Sequence, residues 1–454
     1  MSITSTEKLE RGLGLKEATA LNMIDMIGIG PFIVLPIVIQ EMNGPQCMIA
    51  WVLGALLAFM DGFVWAELGS AMPEAGGSYV FLKEIYGPKS WGKLFSFLLI
   101  WQTIFQAPLV IASGSIGFSQ YFTFLMPLGP IGQKAVSGLL VIILVILLYR
   151  KITTVGKISV LLWIGVIATV LWLIFGGVTH FNPKLAFDFP KGAFDFSFIF
   201  FVGLGSASVQ TIYTYLGYYN ITNLGSELKN PERNIPKSIF ISIGGIAILY
   251  LAMQLSVLGV IPWREAMHSE FIVSTFVKKI YGSDAAIVAT ILILWIAFSS
   301  LFSALLGYSR IPYAAALDGT FFKVFAKVHP KKHFPNVSLL VIGAIAFVFS
   351  LLFKLKEVIS AILAMRILVQ FIGQAVGVIL LRRNKPAGFL PFKMWLYPVP
   401  ALIAIFMWVG LFLSTGMYFA LGGVVVMSIG AAVYFIRANY KKEWPFKKNE
   451  NDFY

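Results

Sequence analysis

Two charged side chains, Asp25 and Arg366, lie in the middle of long apolar stretches of the chain. Each lies about nine residues from one end of its stretch, which is roughly 13 Å along a helix axis. A charge at such a depth in a membrane is costly unless it faces a cavity or a partner. We therefore interpret Asp25 as a group that takes up protons or contacts a cationic ligand, with a satisfied core aspartate as the alternative. For Arg366, a structural pair with Asp25 and direct binding of a ligand are equally open.

The stretch that contains Asp25 also contains residues that interrupt helices. Gly28, Gly30 and Pro31 follow within two turns. Proline has no N–H to donate and suits the first position of a helix. The pattern predicts a helix that ends near Ile27, an unwound step at the glycines and a second half-helix from Pro31. Unpaired N–H groups at that start would attract a carboxylate, and a simple proline kink is the alternative.

A second apolar stretch carries a similar irregularity at residues 213–225, where tyrosine, asparagine, threonine and glycine crowd its middle. Backbone can leave the helical conformation at membrane depth only where it faces protein or a water-filled cavity. We therefore predict an interruption between about residues 214 and 220.

Other polar residues in the apolar stretches are lower-ranked candidates for the same site. These candidates are Asn22, Gln102, Gln106, Tyr219, Asn220, Ser299, Ser300, Ser303 and Gln370. For Gln102 and Gln106, which lie one turn apart, hydrogen bonding between helices is the favoured interpretation. For the three serines, a sodium site and ordinary packing between close helices are both open. The four histidines fall in predicted loops and Cys47 is the lone cysteine, so we expect no metal site, disulfide or cofactor.

The composition indicates what must position these residues. Hydrophobic residues make up 58% of the chain, charged residues 12%, and the mean hydropathy is +0.83. A soluble domain carries about a quarter charged residues. The chain therefore has too few to cover a globular surface, and we predict an all-α membrane protein.

Twelve apolar stretches are long enough to approach or cross a hydrocarbon core of roughly 30 Å. They lie near 17–42, 47–70, 94–125, 135–149, 158–178, 196–227, 238–261, 284–309, 336–353, 357–381, 395–415 and 417–436. The fourth and ninth are the shortest.

The distribution of basic residues supports this count. With a cytoplasmic N-terminus, 26 of the 35 Lys and Arg residues fall in inside segments and 8 in outside segments, and Arg366 lies within a span. Cytoplasmic loops of membrane proteins carry this excess, which explains the net charge of +14 without nucleic acid. We predict cytoplasmic tails at 1–16 and 437–454 and a location in the cell membrane.

Interruptions in the first and sixth spans suggest two five-helix repeats of opposite topology, at residues 17–178 and 196–381. Helices eleven and twelve, at 395–436, would lie outside the repeats. A ligand would then bind near the midplane, between the two breaks.

Several motifs carry a resemblance to a known family. Residues 28–30 resemble a Gly-Ser-Gly helix break, residues 67–79 a cytoplasmic stretch after helix two, and residues 225–237 the end of helix six. Residues 310–319 and 328–330 resemble the loop after helix eight. Together they resemble the amino acid–polyamine–organocation (APC) superfamily, in particular its bacterial amino acid permeases. The resemblance implies the LeuT-type five-plus-five inverted-repeat fold.

The resemblance also implies roles for individual residues. The backbone amides of the first break would hold a substrate carboxylate, the carbonyls around the second would hold its amino group, and an aromatic gate would cover it. In this sequence the amides are those of Gly28, Ile29 and Gly30, the carbonyls those of Tyr213, Tyr215 and Leu216, and the gate is Tyr213. The break has Ile29 where relatives have serine, and Val166 occupies the position of a helix-five lysine that serves coupling in many relatives.

The sequence therefore predicts a secondary active transporter of amino acids or related amines that works by alternating access as a proton-coupled symporter. Obligatory amino acid or polyamine exchange is the first alternative. A non-transporting sensor is disfavoured by the short tails, and an enzyme by the lack of a nucleophile–base pair in the spans. Asp25 slightly favours a cationic or polyamine-like substrate. The specific substrate, proton or sodium coupling, and the oligomeric state stay open.

Overall fold

The computed structural model describes residues 9–352 and 363–446, and within these ranges the chain is helical. Strand-like pairing is limited there to two isolated bridges, Leu13 with Leu228 and Ala75 with Leu224. The beginning of the predicted tenth span lies outside the described residues.

The helices of eight or more residues are labelled in chain order. They are α1 (Leu15–Met26), α2 (Gly30–Met42), α3 (Met48–Ala71), α4 (Ser78–Ile85), α5 (Trp91–Phe122), α6 (Pro130–Leu148), α7 (Ile152–Thr179), α8 (Phe198–Tyr215), α9 (Pro231–Leu258), α10 (Ile272–Tyr281), α11 (Ser283–Tyr308), α12 (Arg310–Leu317), α13 (Asn336–Leu352), α14 (Leu363–Asn384), α15 (Val399–Ser414) and α16 (Met417–Lys441). Shorter helical turns lie at Pro45–Cys47, Pro183–Ala186, Asn220–Asn223, Gly225–Glu227, Trp263–Ala266, Lys323–Ala326 and Ala387–Phe389.

Among the described residues, eight helical segments are long and apolar enough to cross a membrane, and the bent pair α1–α2 makes a ninth. Helices α13 and α15 are apolar but shorter, and α8 is interrupted at Tyr215. The predicted total of twelve spans depends on counting these three helices as well, so it stays a prediction. Helix α16 continues to Lys441, beyond the predicted boundary at 436.

Helix α1 lies at the centre of the bundle, where it contacts α7, α9 and α11. Its side chains at Ala18, Leu21 and Ile24 are fully buried. Peripheral helices instead expose large apolar side chains, such as Phe406 on α15 and Ile436 on α16. A bundle with a polar-containing centre and an apolar surface is the arrangement expected in lipid.

Two buried ion pairs join segments at the end of the bundle that the charge pattern assigns to the cytoplasm. Arg310, at the start of α12, donates to both carboxylate oxygens of Glu227 at 2.8 Å. Arg382, near the end of α14, donates to both oxygens of Glu67 on α3 at 2.6 Å. Both carboxylates are fully buried, and such geometry offsets part of the cost of removing the charges from water.

Candidate functional site

The first predicted helix break is confirmed. Helix α1 ends at Met26, residues 27–29 are non-helical, and α2 begins at Gly30 with Pro31 in its first turn. The helices are bent by 41° at this point. The second half-helix starts at Gly30, one residue before the predicted Pro31, because the Ile33 N–H already bonds back to the Ile29 carbonyl.

Two of the three amides predicted to hold a carboxylate are available at this break. The N–H groups of Ile29 and Gly30 have no acceptor in the described part of the chain. The Gly28 N–H differs from the expectation, because it donates to the Met26 carbonyl at 3.0 Å. The start of α2 thus presents two unpaired donors at the positive end of a helix dipole.

The second break lies directly against the first. Helix α8 ends at Tyr215, and residues 216–219 form a turn before the short helical turn Asn220–Asn223. Gly217 has φ +121°, and a Cβ atom there would lie 2.8 Å from the Met26 nitrogen. Only glycine allows both this conformation and this close approach.

Carbonyl groups at the second break are partly available as acceptors. Those of Tyr215 and Leu216 have no donor among the described residues, whereas that of Tyr213 accepts from the Leu216 N–H at 3.4 Å. The Tyr215 side chain points elsewhere, since it packs edge-on against Trp51 and Tyr250.

A cavity of about 100 Å³ lies between the breaks. Nine of the predicted site residues line it, namely Asp25, Gly28, Ile29, Gly30, Tyr213, Leu216, Tyr219, Ser300 and Arg366. The remaining wall comes mainly from α5 and α11. The folding of the chain thus brings together residues up to 341 positions apart, from Asp25 to Arg366.

The two charged residues of the cavity face it without forming an ion pair. Within the described residues, no contact of 4.0 Å or less joins Asp25 to Arg366, although both line the cavity. The Asp25 carboxylate, which is partly buried, has no hydrogen-bond donor among those residues. Its backbone carbonyl accepts from the Ser300 hydroxyl at 3.2 Å. Asp25 is therefore fixed through its backbone, and its carboxylate remains available.

Hydrogen bonds fix the Arg366 side chain, but they do not use all of its nitrogen atoms. Its Nε donates to Gln370 at 2.9 Å and its Nη1 to the Tyr308 hydroxyl at 3.3 Å, while its buried Nη2 has no acceptor in the part of the chain that the structure describes. The guanidinium lies 5.2 Å from the ring centre of Tyr219. A π-helical turn begins at the next residue, Ile367, and such turns often occur at functional sites.

Other predicted site residues connect the walls of the site rather than line it. Asn22 accepts from the Ile221 N–H at 3.0 Å, and Asn220 donates to the carbonyl and hydroxyl of Ser303 at 2.9 Å. Ser303 in turn donates to the Leu21 carbonyl at 2.8 Å. These bonds tie the second break to α1 and α11.

The remaining predicted site residues differ from one another in their hydrogen-bond partners. Gln106 donates to the Tyr308 hydroxyl at 3.1 Å, and Gln370 donates to Ser78 at 3.0 Å. Ser299 bonds to a carbonyl of its own helix. The amide of Gln102 is buried and has no partner among the described residues.

Sequence reasoning missed Ser113 and Tyr308, which also line the cavity. Tyr308 follows Ser300 by eight residues, which places both on one face of α11. Ser113 continues the face of α5 on which Gln106 and Val110 lie. Extending each polar stripe by further helical turns would have found both residues.

Another buried acidic residue within a predicted span, Asp61 on α3, was also missed. It accepts hydrogen bonds from Tyr218 at 2.5 Å, Trp65 at 2.8 Å and Trp408 at 3.2 Å. These donors come from α3 itself, from the second break and from α15. Asp61 therefore connects three elements beside the cavity.

Long apolar helices around a central cavity, with two non-helical breaks in contact, define this chain as an integral membrane protein with an internal cavity. A cavity between interrupted helices fits membrane transport better than catalysis.

The chain belongs to the amino acid permease family, whose pattern matches residues 13–435. It is 27% identical over 456 residues to the branched-chain amino acid permease BcaP of Bacillus subtilis. This alignment covers 96% of this chain and 95% of that protein. It is 24% identical over 451 residues to the methylthioribose transporter of the same organism, covering 95% and 94%. It is also 24% identical over 439 residues to the serine/threonine exchanger SteT of that organism, covering 95% of each. The family consists of transporters, and this chain is a permease rather than an enzyme.

Proposed function

We propose that the protein is a secondary active transporter that moves amino acids across the cell membrane by alternating access. The observation that carries this proposal is the cavity between the two helix breaks. Its lining includes Ile29 and Gly30, whose amides have no acceptor among the described residues, Leu216, whose carbonyl has no donor there, and the carboxylate of Asp25. An α-amino acid carries groups complementary to each of these.

The proposed architecture is the LeuT-type inverted repeat of residues 17–178 and 196–381, with helices at 395–436 outside it and both termini cytoplasmic. It is supported by the alternation of basic residues along the chain and by the breaks in the first and sixth spans. The close contact of Gly217 with Met26 brings the corresponding breaks of the two repeats together.

In the proposed binding mode, the substrate carboxylate accepts hydrogen bonds from the Ile29 and Gly30 amides. The ammonium group contacts Asp25 and the carbonyls of Tyr215 and Leu216. Tyr213, whose hydroxyl lies 3.5 Å from Ser113 across the cavity, forms the gate that closes over the substrate.

For energy coupling, we propose proton symport through Asp25. The Asp25 carboxylate faces the cavity without a bonded cation, so it can take up a proton when the cavity opens to one side and release it to the other. Exchange is a second candidate, because one relative of similar length is named as an exchanger.

Uptake of radiolabelled amino acids and polyamines into proteoliposomes tests the proposal. Symport predicts accumulation into vesicles without internal amino acid when the outside is acidic, and collapse of that accumulation by a protonophore. Exchange predicts uptake only into preloaded vesicles, whatever the pH gradient. A correctly inserted protein that transports no amino acid in either assay would contradict the proposal.

A further inference from the structure

We propose that the cavity selects neutral, zwitterionic amino acids with short aliphatic side chains, and rejects both cationic and anionic ones. This inference rests on the proposed function and adds the substrate class to it.

The first argument is the charge balance of the cavity. Among the described residues, the charged side chains in its lining are one carboxylate, Asp25, and one guanidinium, Arg366. A ligand with one ammonium and one carboxylate leaves the balance unchanged. A ligand with a second positive or negative charge adds a net charge to a site of low polarity, where unbalanced charges are strongly disfavoured.

The second argument is that the cation of Arg366 cannot move away from the cavity. Arg366 is anchored by Gln370 and by the Tyr308 hydroxyl, so its unpartnered Nη2 stays fixed in the lining. A lysine or polyamine substrate would have to place its distal ammonium in the field of this fixed cation. Asp25 alone favours a cationic ligand, but Arg366 in the same cavity removes that preference.

The third argument concerns the lining away from the breaks. The polar backbone groups cluster where α1 and α8 end, whereas the walls are largely apolar. The apolar wall includes Ile33, Val34, Val110, Ala297, Leu301 and Ala304. An aliphatic side chain fills such a wall without leaving a polar group unpaired, and the volume of about 100 Å³ limits its length.

The test is competition for leucine uptake in proteoliposomes by alanine, valine, lysine, putrescine and glutamate. It is paired with ligand-induced thermal stabilisation of the purified protein, which reports binding even where a variant no longer transports. The wild-type protein is compared with Asp25→Asn, which keeps the side-chain size, and Arg366→Gln, which keeps a polar side chain. Each substitution removes one charge. Arg366→Lys keeps the charge, and Lys278→Gln, on the exposed face of α10, serves as the matched control.

The wild-type protein should prefer leucine, valine and alanine over lysine and glutamate by at least about tenfold. Arg366→Gln should shift binding towards lysine, and Asp25→Asn should shift it towards glutamate. Arg366→Lys should restore the neutral preference, and Lys278→Gln should leave it unchanged.

Preferential binding of lysine, putrescine or glutamate by the wild-type protein would overturn this inference while supporting amino acid or amine transport. Charge-removing variants with unaltered selectivity would also overturn it. If no amino acid binds to or is transported by the folded wild-type protein, the proposed function itself fails.

Discussion

Two regions of the molecule hold buried charges in opposite ways. At the end of the bundle that the charge pattern assigns to the cytoplasm, Glu227 and Arg310 satisfy each other through two hydrogen bonds of 2.8 Å. In the central cavity, Asp25 and Arg366 line the same space but form no ion pair within the described part of the chain. There the Asp25 carboxylate accepts no hydrogen bond, and the buried Nη2 of Arg366 has no acceptor. The first arrangement stabilises the fold, and the second leaves binding capacity for a ligand. We therefore infer the role of a charged residue in this protein from whether its hydrogen bonds are satisfied, rather than from its burial.

Backbone hydrogen bonding differs between the two regions in the same way. Near Glu227 the backbone is paired between distant segments, since the N–H groups of Gly12 and Leu13 both donate to the Glu227 carbonyl. At the cavity, the amides of Ile29 and Gly30 have no acceptor among the described residues. A closed end beside an incompletely satisfied centre is the arrangement that the proposed alternating access requires in one of its states.

The largest effect on the free energy of unfolding is expected from breaking the ion pair of Arg310 and Glu227. Arg310→Ala should lower the free energy of unfolding by about 3–5 kcal/mol, because it leaves the fully buried Glu227 carboxylate without its partner. The effect is measured by equilibrium unfolding in mixed micelles. The matched control is Arg264→Ala, which breaks an exposed ion pair with Asp188 of 2.7 Å. The control substitution should lower the free energy of unfolding by less than about 1 kcal/mol. Equal losses of stability in both variants would contradict the difference between buried and exposed pairs.

A bulky residue at the first helix break should abolish transport without preventing membrane insertion. A Cβ atom at Gly28 would lie 2.8 Å from the Ser300 hydroxyl oxygen, and one at Gly30 would lie 3.2 Å from Thr214 Cγ2. Gly28→Val or Gly30→Val should therefore narrow the cavity and reduce proteoliposome uptake to background. Gly422→Val is the control, because its Cβ meets no atom within 4 Å. Near-normal uptake by either break variant would count against carboxylate binding there.

Removing the charge of Asp25 sharpens the functional side of the comparison. If Asp25 couples protons, Asp25→Asn should still bind and exchange substrate but lose accumulation driven by a pH gradient. If it contacts only the substrate amine, affinity should fall at every pH. Counterflow and pH-driven uptake measured on the same vesicles separate the two outcomes. Wild-type affinity together with wild-type pH dependence would make Asp25 a structural residue.

The smallest effect is expected at the gate. Tyr213→Ala should slow transport a few-fold more than it weakens binding, because the ring closes the cavity without holding the substrate's charged groups. Tyr213→Phe should remain close to wild type, since the hydroxyl contact with Ser113 is long at 3.5 Å. Turnover and ligand-induced thermal stabilisation compare the two effects. Unchanged turnover in Tyr213→Ala would place the gate elsewhere.

Local features of the sequence predicted the elements well. The Gly-Ile-Gly-Pro run predicted the first break because glycine and proline act on their own backbone, and the apolar stretches predicted the helices. The pairing of distant residues was not predictable in this way. Arg382 meets Glu67 across 315 positions, and the partners of Asp61 come from three separate elements. Nor could the sequence show that the Gly28 amide is used by Met26, because that depends on the local turn.

Substrate protection of a cysteine in the cavity tests the central claim most directly, and the chain is suited to it because its single native cysteine, Cys47, is buried. Val110 lines the cavity, so Val110→Cys introduces one reactive thiol there. The amino acid that gives the highest uptake should slow modification of this thiol by a small methanethiosulfonate reagent in proportion to occupancy. Ser283→Cys, at the exposed start of α11, should react at the same rate with or without substrate. Equal modification of Val110→Cys with and without saturating substrate would contradict binding between the two helix breaks.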